Sequence, residues 1–170
     1  NALEEQEAAV KQEQAMRDYL LEQKRAKDED MTLPYTYRSE VTQRELPNAV
    51  HRGSVVIKRG QTAEEVARAV HLDLEQLGEK FQATRIAGVR EERDVILVAN
   101  ADAATTGSFV IPPTMSILEM SAAKWAEGDP LFEMGAGFVV TERRWYEQWK
   151  HMHPYSQWRP YEARLSYSHR

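Results

Sequence analysis

Cysteine is absent from this sequence of 170 residues. Its absence excludes disulfides, thiolate zinc sites and cysteine nucleophiles, and it is compatible with a reducing compartment. No run of about 18 apolar residues occurs, so the sequence predicts no membrane-spanning helix. The net charge of −5 excludes a uniformly basic protein that coats nucleic acid. Apolar residues nevertheless make up 42% of the chain, which is enough for a hydrophobic core.

The sequence also lacks the motifs of common catalytic and cofactor sites. The segment 135–137 (GAG) is followed by neither a lysine nor a helix start, so it is no phosphate-binding loop. Neither a zinc-protease motif nor a nucleophile elbow is present. His151 and His153 have a spacing that suits a metal on a strand, but no third ligand is evident. We therefore predict no enzyme activity, no catalytic residue, no cofactor and no metal site.

Charge is unevenly distributed along the chain. Residues 1–30 carry a net charge of −4 and residues 60–140 one of −7, whereas residues 31–59 and 141–170 each carry +3. This pattern predicts an acidic body flanked by two basic surfaces. The sequence begins at Asn1 rather than at a methionine, so we expect it to be part of a longer chain.

Residues 1–30 predict a charged helical arm. They contain neither glycine nor proline and are rich in the strongest helix formers. Their apolar positions form only a broken stripe, which is too thin to cover a face of the following domain. Two interpretations remain open: an extended helix that docks on a partner, or a solvated helix that frays when alone. The candidate partner-binding residues of this arm are Leu3, Val10, Tyr19 and Leu20.

Residues 31–140 predict an α+β domain. Two strands flank a long loop, and a capping box at 62–65 begins the central helix. A hairpin wrapped on one central helix, with later strands beside it, is the order of a ubiquitin-like β-grasp fold, and we predict that architecture. The predicted elements are strands from Thr32 to Tyr37, at 53–58, 94–99, 109–111, 131–132 and 138–140, and helices from 62 and at 116–125.

Residues 141–170 predict a helix followed by an extension rich in tryptophan, tyrosine and proline, which completes the domain. Seven of the chain's fifteen aromatic residues lie within 145–170. The tail either packs back over the domain or anchors in grooves of a partner, where Trp, Tyr and Arg dominate binding energy, and both can hold for different side chains. The candidate residues are Trp145, Tyr146, Trp149, Trp158, Arg159 and Tyr161.

A second kind of binding protein remains open, namely a chromatin-associated or transcription-associated factor that binds nucleic acid directly. It requires a coherent basic surface, and phosphate contacts would make its binding steeply salt-dependent. The acidic body of residues 60–140 would repel a long duplex. The candidate basic residues on the hairpin side are Arg44, Arg52, Lys58 and Arg59.

The segment 145–161 (WYEQWKHMHPYSQWRPY) resembles the C-terminal signature of the XAP-five family, whose plant members are called circadian timekeepers. Three other stretches agree with that family in order: 33–37 together with 51–62, 87–89, and 110–112 together with 130–132. The resemblance covers residues 32–165, most of the chain. The loops at 39–52 and 100–108 are longer than in the family's pattern.

This resemblance implies a non-enzymatic pre-mRNA splicing factor in the nucleus, a scaffold or docking subunit of the spliceosome at its catalytic or later stages. The implied partners are spliceosomal proteins, with contact to the snRNA or pre-mRNA backbone and with neither a membrane nor a small-molecule substrate. Family members carry a charged helical region before the domain, as residues 1–30 do here. The resemblance implies neither a catalytic residue nor a cofactor.

Overall fold

A computed structural model describes residues 1–38, 51–70, 73, 95–102 and 107–169. The predictions for Arg44 and for the loop at 39–50 lie outside these residues. The helices and strands are α1 (Ala2–Asp28), β1 (Asp30–Arg38), β2 (His51–Lys58), α2 (residues 63–70), β3 (Val95–Ala99), β4 (Phe109–Val110), α3 (Ile117–Ala122), β5 (Val139–Glu142), α4 (Arg143–Trp149), a 3₁₀ turn (Tyr155–Gln157) and β6 (Arg159–Pro160).

The strands form one mixed six-stranded sheet in the order β2-β1-β5-β3-β4-β6. Strand β1 pairs antiparallel with β2 and parallel with β5, and β3 pairs antiparallel with both β5 and β4. Strand β6 adds to β4 in parallel at one edge. The predicted mixed α+β class is therefore confirmed.

Most of the hydrophobic core lies on one face of this sheet. Alternate residues of β1, namely Leu33, Tyr35 and Tyr37, point into it and are at most 3% exposed. Val66 and Val70 of α2 pack on the same face and are fully buried, as their helical spacing predicts. The continuation of this helix face at Leu74 and Leu77 lies outside the described residues.

The opposite face of the sheet is covered by the C-terminal segment. Ile96 and Val98 of β3 and Val139 of β5 form a second buried cluster with Trp158. Strand β3 is consequently buried on both faces, and all five of its residues are buried. Burial on both sides explains why this strand is continuously apolar rather than alternating.

Several predicted boundaries are wrong for one physical reason: sheet pairing extends strands beyond their local signal. Thr141 pairs with Arg38 and with Ile96, and Glu142 pairs with Val95, so β5 runs two residues into the predicted helix. Helix α4 therefore starts at Arg143 instead of Thr141. Strand β2 likewise begins at His51 instead of residue 53.

The predicted strand at 131–132 is also wrong. Leu131 and Phe132 are buried, but they form a bend instead of a strand. The Asn100 side chain holds this bend by donating from Nδ2 to the carbonyl of Leu131 (2.8 Å) and accepting at Oδ1 from the amide of Glu133 (3.0 Å). Side-chain bonding of this kind takes the place of ladder pairing, and the apolar run alone does not reveal it.

Candidate docking surface

Helix α1 begins with a capping box that the sequence prediction missed. The Asn1 side chain accepts a hydrogen bond from the amide of Glu4 (3.0 Å), and the Glu4 carboxylate in turn bonds the amino group of Asn1 (3.4 Å). The first of these bonds satisfies an amide that a helix start leaves unpaired. The signal was present in the sequence as an asparagine three residues before a glutamate.

Helix α1 has no buried residue along its 27 residues. At 1.5 Å per residue it is about 40 Å long. Its large apolar side chains are therefore open to solvent. They are Leu3, Val10, Met16, Tyr19, Leu20 and Leu21, with exposed fractions of 57–64%. We call these six residues the α1 stripe; Leu3, Val10 and Leu21 share one side of the helix, and Met16 and Leu21 were not among the predicted candidates.

The C-terminal end of α1 is fixed to the turn that follows β2. The amide of Gly60 donates to the carbonyl of Lys27 (2.9 Å), and the amide of Arg59 donates to the carbonyl of Glu29 (3.0 Å). A Cβ atom on Gly60 would lie 2.8 Å from the Cβ of Lys27, so only glycine permits this approach. The helix is thus held at its base while the α1 stripe projects from the domain.

Two of the four basic residues predicted on the hairpin side are paired with acidic residues. Lys58 lies 3.1 Å from the carboxylate of Asp30, and Arg59 lies 3.6 Å from that of Glu29. Arg52 is exposed on the same strand, six residues from Lys58, which is about 20 Å along a strand. Arg44 lies outside the described residues. Lys58 and Arg59 each face an acidic partner at the base of α1, and partner contact through the four basic residues stays a prediction.

Three of the predicted tail residues are buried within the chain. Trp145, Trp158 and Tyr161 are 6–9% exposed. The Trp145 ring meets that of Tyr155 edge-on at 4.8 Å, and the Tyr161 ring meets that of Phe132 at 5.1 Å. In this arrangement the tail packs back over the domain. Of the two interpretations left open for the tail, this burial agrees with packing over the domain, and contact of these side chains with a partner stays a prediction.

The other predicted tail residues keep exposed surface. Tyr146 and Trp149 of α4 are half-buried, and Arg159 is exposed. The Tyr146 ring stacks on Trp158 at 5.7 Å, and its partial burial raises the pKa of its hydroxyl. The Arg159 guanidinium lies over the rings of Phe109 (4.7 Å) and Tyr167 (4.9 Å).

Sequence reasoning missed a partly buried polar contact at the margin of the core. The Tyr35 hydroxyl of β1 donates to the carboxylate of Asp73, and burial, followed by this bond and the charge of Asp73, raises the pKa of Tyr35 far above its ordinary value of 10.0. A Cβ atom on Gly53, opposite Tyr35 in the strand pairing, would lie 2.8 Å from that hydroxyl. A tyrosine on an alternating strand gives no sign of such a partner.

The described residues offer no metal site and no transmembrane helix. Nowhere among them do three histidine, aspartate or glutamate side chains gather as metal ligands. No helix in that part of the chain has the length and apolar character needed to cross a bilayer. Among the described residues, the α1 stripe leaves six large apolar side chains exposed on one helix.

Comparison with known proteins supports the family that the tail motif indicated. Residues 93–170 match the family described as "XAP5, circadian clock regulator C-terminal domain". The chain is 27% identical over 178 aligned positions to the proteins named XAP5 CIRCADIAN TIMEKEEPER of Oryza sativa and Arabidopsis thaliana. The alignments cover 93% of this chain and 46–47% of those relatives, so the chain spans about half of their length.

One solved structure resembles the fold only distantly. The Hsp90 co-chaperone Cns1 C-domain from Saccharomyces cerevisiae aligns with a TM-score of 0.45 and 16% identity, over 77% of this chain and 68% of that one. The sequence comparisons, by contrast, point to the same family as the motif at 145–161. The resemblance of this chain to the XAP5 family is confirmed, and the family's C-terminal domain corresponds to residues 93–170.

Proposed function

We propose that this chain is a non-enzymatic pre-mRNA splicing factor, a docking or scaffold subunit of the spliceosome in the nucleus, and that α1 binds a neighbouring protein of that particle. The observation that carries the docking role is the α1 stripe, which is exposed on a helix with no buried residue. The splicing role itself is carried over from what the family resemblance implies. The names of the relatives refer to circadian timekeeping.

The energetics of the α1 stripe support a docking role. Single exposed apolar residues are normal on protein surfaces, but here six lie on one helix that contributes nothing to its own core. Full burial of one such side chain in a partner groove is worth about 1.5–3 kcal/mol. Three buried anchors would therefore supply several kcal/mol, enough to offset part of the entropy lost on association.

A second contact would come from the tail residues that keep exposed surface. Tyr146, Trp149 and Arg159 are of the types that dominate binding energy at interfaces. Two separated contacts on one chain raise the effective concentration of each for its site. This supports a scaffold that spans neighbours within a large assembly.

The alternative of a factor that binds nucleic acid directly has weaker support. Lys58 and Arg59 are each paired with an acidic residue, which lowers the positive charge available to phosphate. This alternative predicts binding to RNA or DNA whether or not the RNA can be spliced.

The test is retention on assembled spliceosomes. Tagged chain is added to a splicing extract with a pre-mRNA that is assembled into spliceosomes, and in parallel with the same RNA whose splice sites are mutated. We expect the chain to be retained only on the RNA that assembles. Equal retention on both RNAs, or comparable binding to naked RNA or duplex DNA, would favour direct nucleic-acid binding and overturn the proposal.

We infer further that the domain is of the ubiquitin-like β-grasp type. The strand order supports this inference, since the β1–β2 hairpin lies beside β5 in parallel and β3 follows β5. The described part of α2 packs its buried valines on the same face as this hairpin, which also supports it. Strand β6 and the tail would then be additions to that architecture.

A further inference from the structure

The last described residues form a short strap across the surface near Trp125. We call Tyr167, Ser168 and His169 the C-terminal strap. The amide of Ala126 donates to the carbonyl of Tyr167 (2.7 Å). The carboxylate of Glu127 accepts from the Ser168 hydroxyl at 2.5 Å and from the amide of His169 at 3.2 Å. One exposed carboxylate thus holds two of the three strap residues.

The strap also closes the aromatic part of the core. Tyr167 is 8% exposed, and its ring meets Phe109 edge-on at 5.0 Å and stacks on Tyr161 at 5.6 Å. The His169 ring lies 4.1 Å from that of Trp125. Displacing the strap would therefore uncover aromatic surface that is buried when it is closed.

The contact with Glu127 depends on a donor at position 168. The hydrogen bond from Ser168 is the main cause that lowers the pKa of Glu127, so this carboxylate is ionised at neutral pH. A neutral hydroxyl suits an ionised acceptor, whereas an anion in its place would offer no proton and would meet like charge. Ser168 is itself exposed, so an enzyme can reach it.

We propose that Ser168 is a phosphorylation site and that its phosphorylation opens the C-terminal strap. A kinase transfers the γ-phosphoryl group of a nucleoside triphosphate to Ser168 Oγ. The new bond joins phosphorus to Oγ, the bond to the β–γ bridging oxygen breaks, the nucleoside diphosphate leaves, and the hydroxyl proton passes to the kinase. The phosphate carries about two negative charges beside Glu127 and no longer donates to it. This inference is independent of the proposed docking function.

The test measures hydrogen exchange of the Ala126 amide, which the closed strap protects. Phosphoserine is installed at position 168 in the full chain, and at position 166 as the matched control, because Ser166 is also exposed and lies two residues away. We expect the Ala126 amide to exchange at least about tenfold faster with phosphoserine 168, as in a local opening, and at the parent rate with phosphoserine 166. The amide of Ile111, bonded to Leu97 of β3, serves as a reference and should not change.

A charge reversal at Glu127 distinguishes repulsion between the phosphate and the carboxylate from a nonspecific effect of the phosphate on the structure. Glu127→Lys combined with phosphoserine 168 places opposite charges together, so protection of the Ala126 amide should return toward the parent value. Three results would overturn the proposal: unchanged exchange with phosphoserine 168, equal acceleration by phosphoserine 166, or no rescue by Glu127→Lys. Faster exchange at Ile111 would also overturn it, since the effect would then be global unfolding.

Discussion

Asn100 shows how a single residue can fix a loop that no periodic pattern predicts. Its φ of +57° lies in the left-handed region, which asparagine tolerates better than most residues. Its buried side chain forms hydrogen bonds with the backbone of Leu131 and Glu133. Its backbone carbonyl accepts a hydrogen bond from the Ser108 hydroxyl. One residue thereby joins the end of β3 to two separate segments.

Replacing Asn100 by alanine should lower the free energy of unfolding by about 2–4 kcal/mol, because one buried and one partly buried hydrogen bond are lost and the backbone becomes strained. Asn100→Gly loses the same bonds but keeps the backbone relaxed, so it should be about 1 kcal/mol less harmful. Urea denaturation of both variants measures the difference. An Asn100→Ala variant as stable as the parent would contradict this role.

Tyr35 gives the fold a dependence on alkaline pH. The folded chain holds the hydroxyl proton because burial raises the pKa of Tyr35 above its ordinary value of 10.0. Its contribution to stability is therefore complete below pH 10 and is lost as the pH rises further, since the unfolded chain releases the proton first.

Above pH 10 this one proton should decrease the free energy of unfolding by about 1.4 kcal/mol per pH unit. Tyr35→Phe should make the decline shallower by that amount, while the raised pKa values of Tyr146 and Tyr161 affect both proteins alike. Denaturant titrations between pH 9 and 11 compare the slopes. Identical slopes would show that Tyr35 releases its proton in the folded chain.

At the scale of elements, the C-terminal segment belongs to the fold through Trp158. This side chain is 8% exposed and packs on Ile96, Val98 and Val139, on the sheet face opposite the main core. Trp158→Ala should therefore cost about 3–5 kcal/mol of unfolding free energy. Met152→Ala is a matched control in the same segment, because Met152 is 55% exposed, and it should cost less than about 0.5 kcal/mol. Equal thermal stability of the two variants would contradict this packing.

The part of α1 that lies before its contacts with the domain should be removable without loss of domain stability. Deleting residues 1–22 removes exposed side chains only, so the free energy of unfolding should change by less than about 0.5 kcal/mol. Deleting residues 1–28 also removes the carbonyl of Lys27 that bonds Gly60, and should cost about 1 kcal/mol more. Tryptophan fluorescence reports on the domain alone, because none of the four tryptophans lies in α1. A large loss on the shorter deletion would show that the arm supports the core.

The local sequence predicted which segments form helices and strands better than it predicted their boundaries or the pairing of the strands. The N-cap threonine Thr62 and the helical spacing of Val66 and Val70 predicted α2 correctly, since both are local properties of the sequence. The β5–α4 boundary was misplaced because pairing with β1 and β3 competes with helix formation at Thr141. The two-residue strand β6 carries no local signal at all, since only its partner β4 makes it a strand.

The sequence predicted the exposed residues of α1 better than the positions of the tail and hairpin residues. The exposed side chains Leu3, Val10, Tyr19 and Leu20 follow from a stripe too thin to form a core. Which tail side chains are buried within the chain could not be predicted from composition, because tryptophan and tyrosine suit both a core and an interface. The pairing of Lys58 and Arg59 depends on where α1 ends, which only the three-dimensional fold determines.

At the scale of the whole molecule, the chain joins a packed domain to a projecting helix. The contacts of Gly60 and Arg59 fix the base of α1, so docking of the α1 stripe would position the domain and not merely tether it. The exposed tail residues Tyr146, Trp149 and Arg159 then offer a second contact at a separate place. This arrangement suits a subunit that holds neighbours in a defined orientation.

Retention of an α1 stripe variant on assembled spliceosomes tests the docking role of α1 most directly. Leu3, Val10 and Leu20 are replaced together by alanine, which keeps the helix, and the exposed Gln6 and Gln12 are replaced by alanine as the control. We expect the stripe variant to be retained at least about tenfold less than the parent, since three apolar anchors are truncated, while the control is retained normally. Retention of the stripe variant at the parent level, with both variants equally stable, would contradict it.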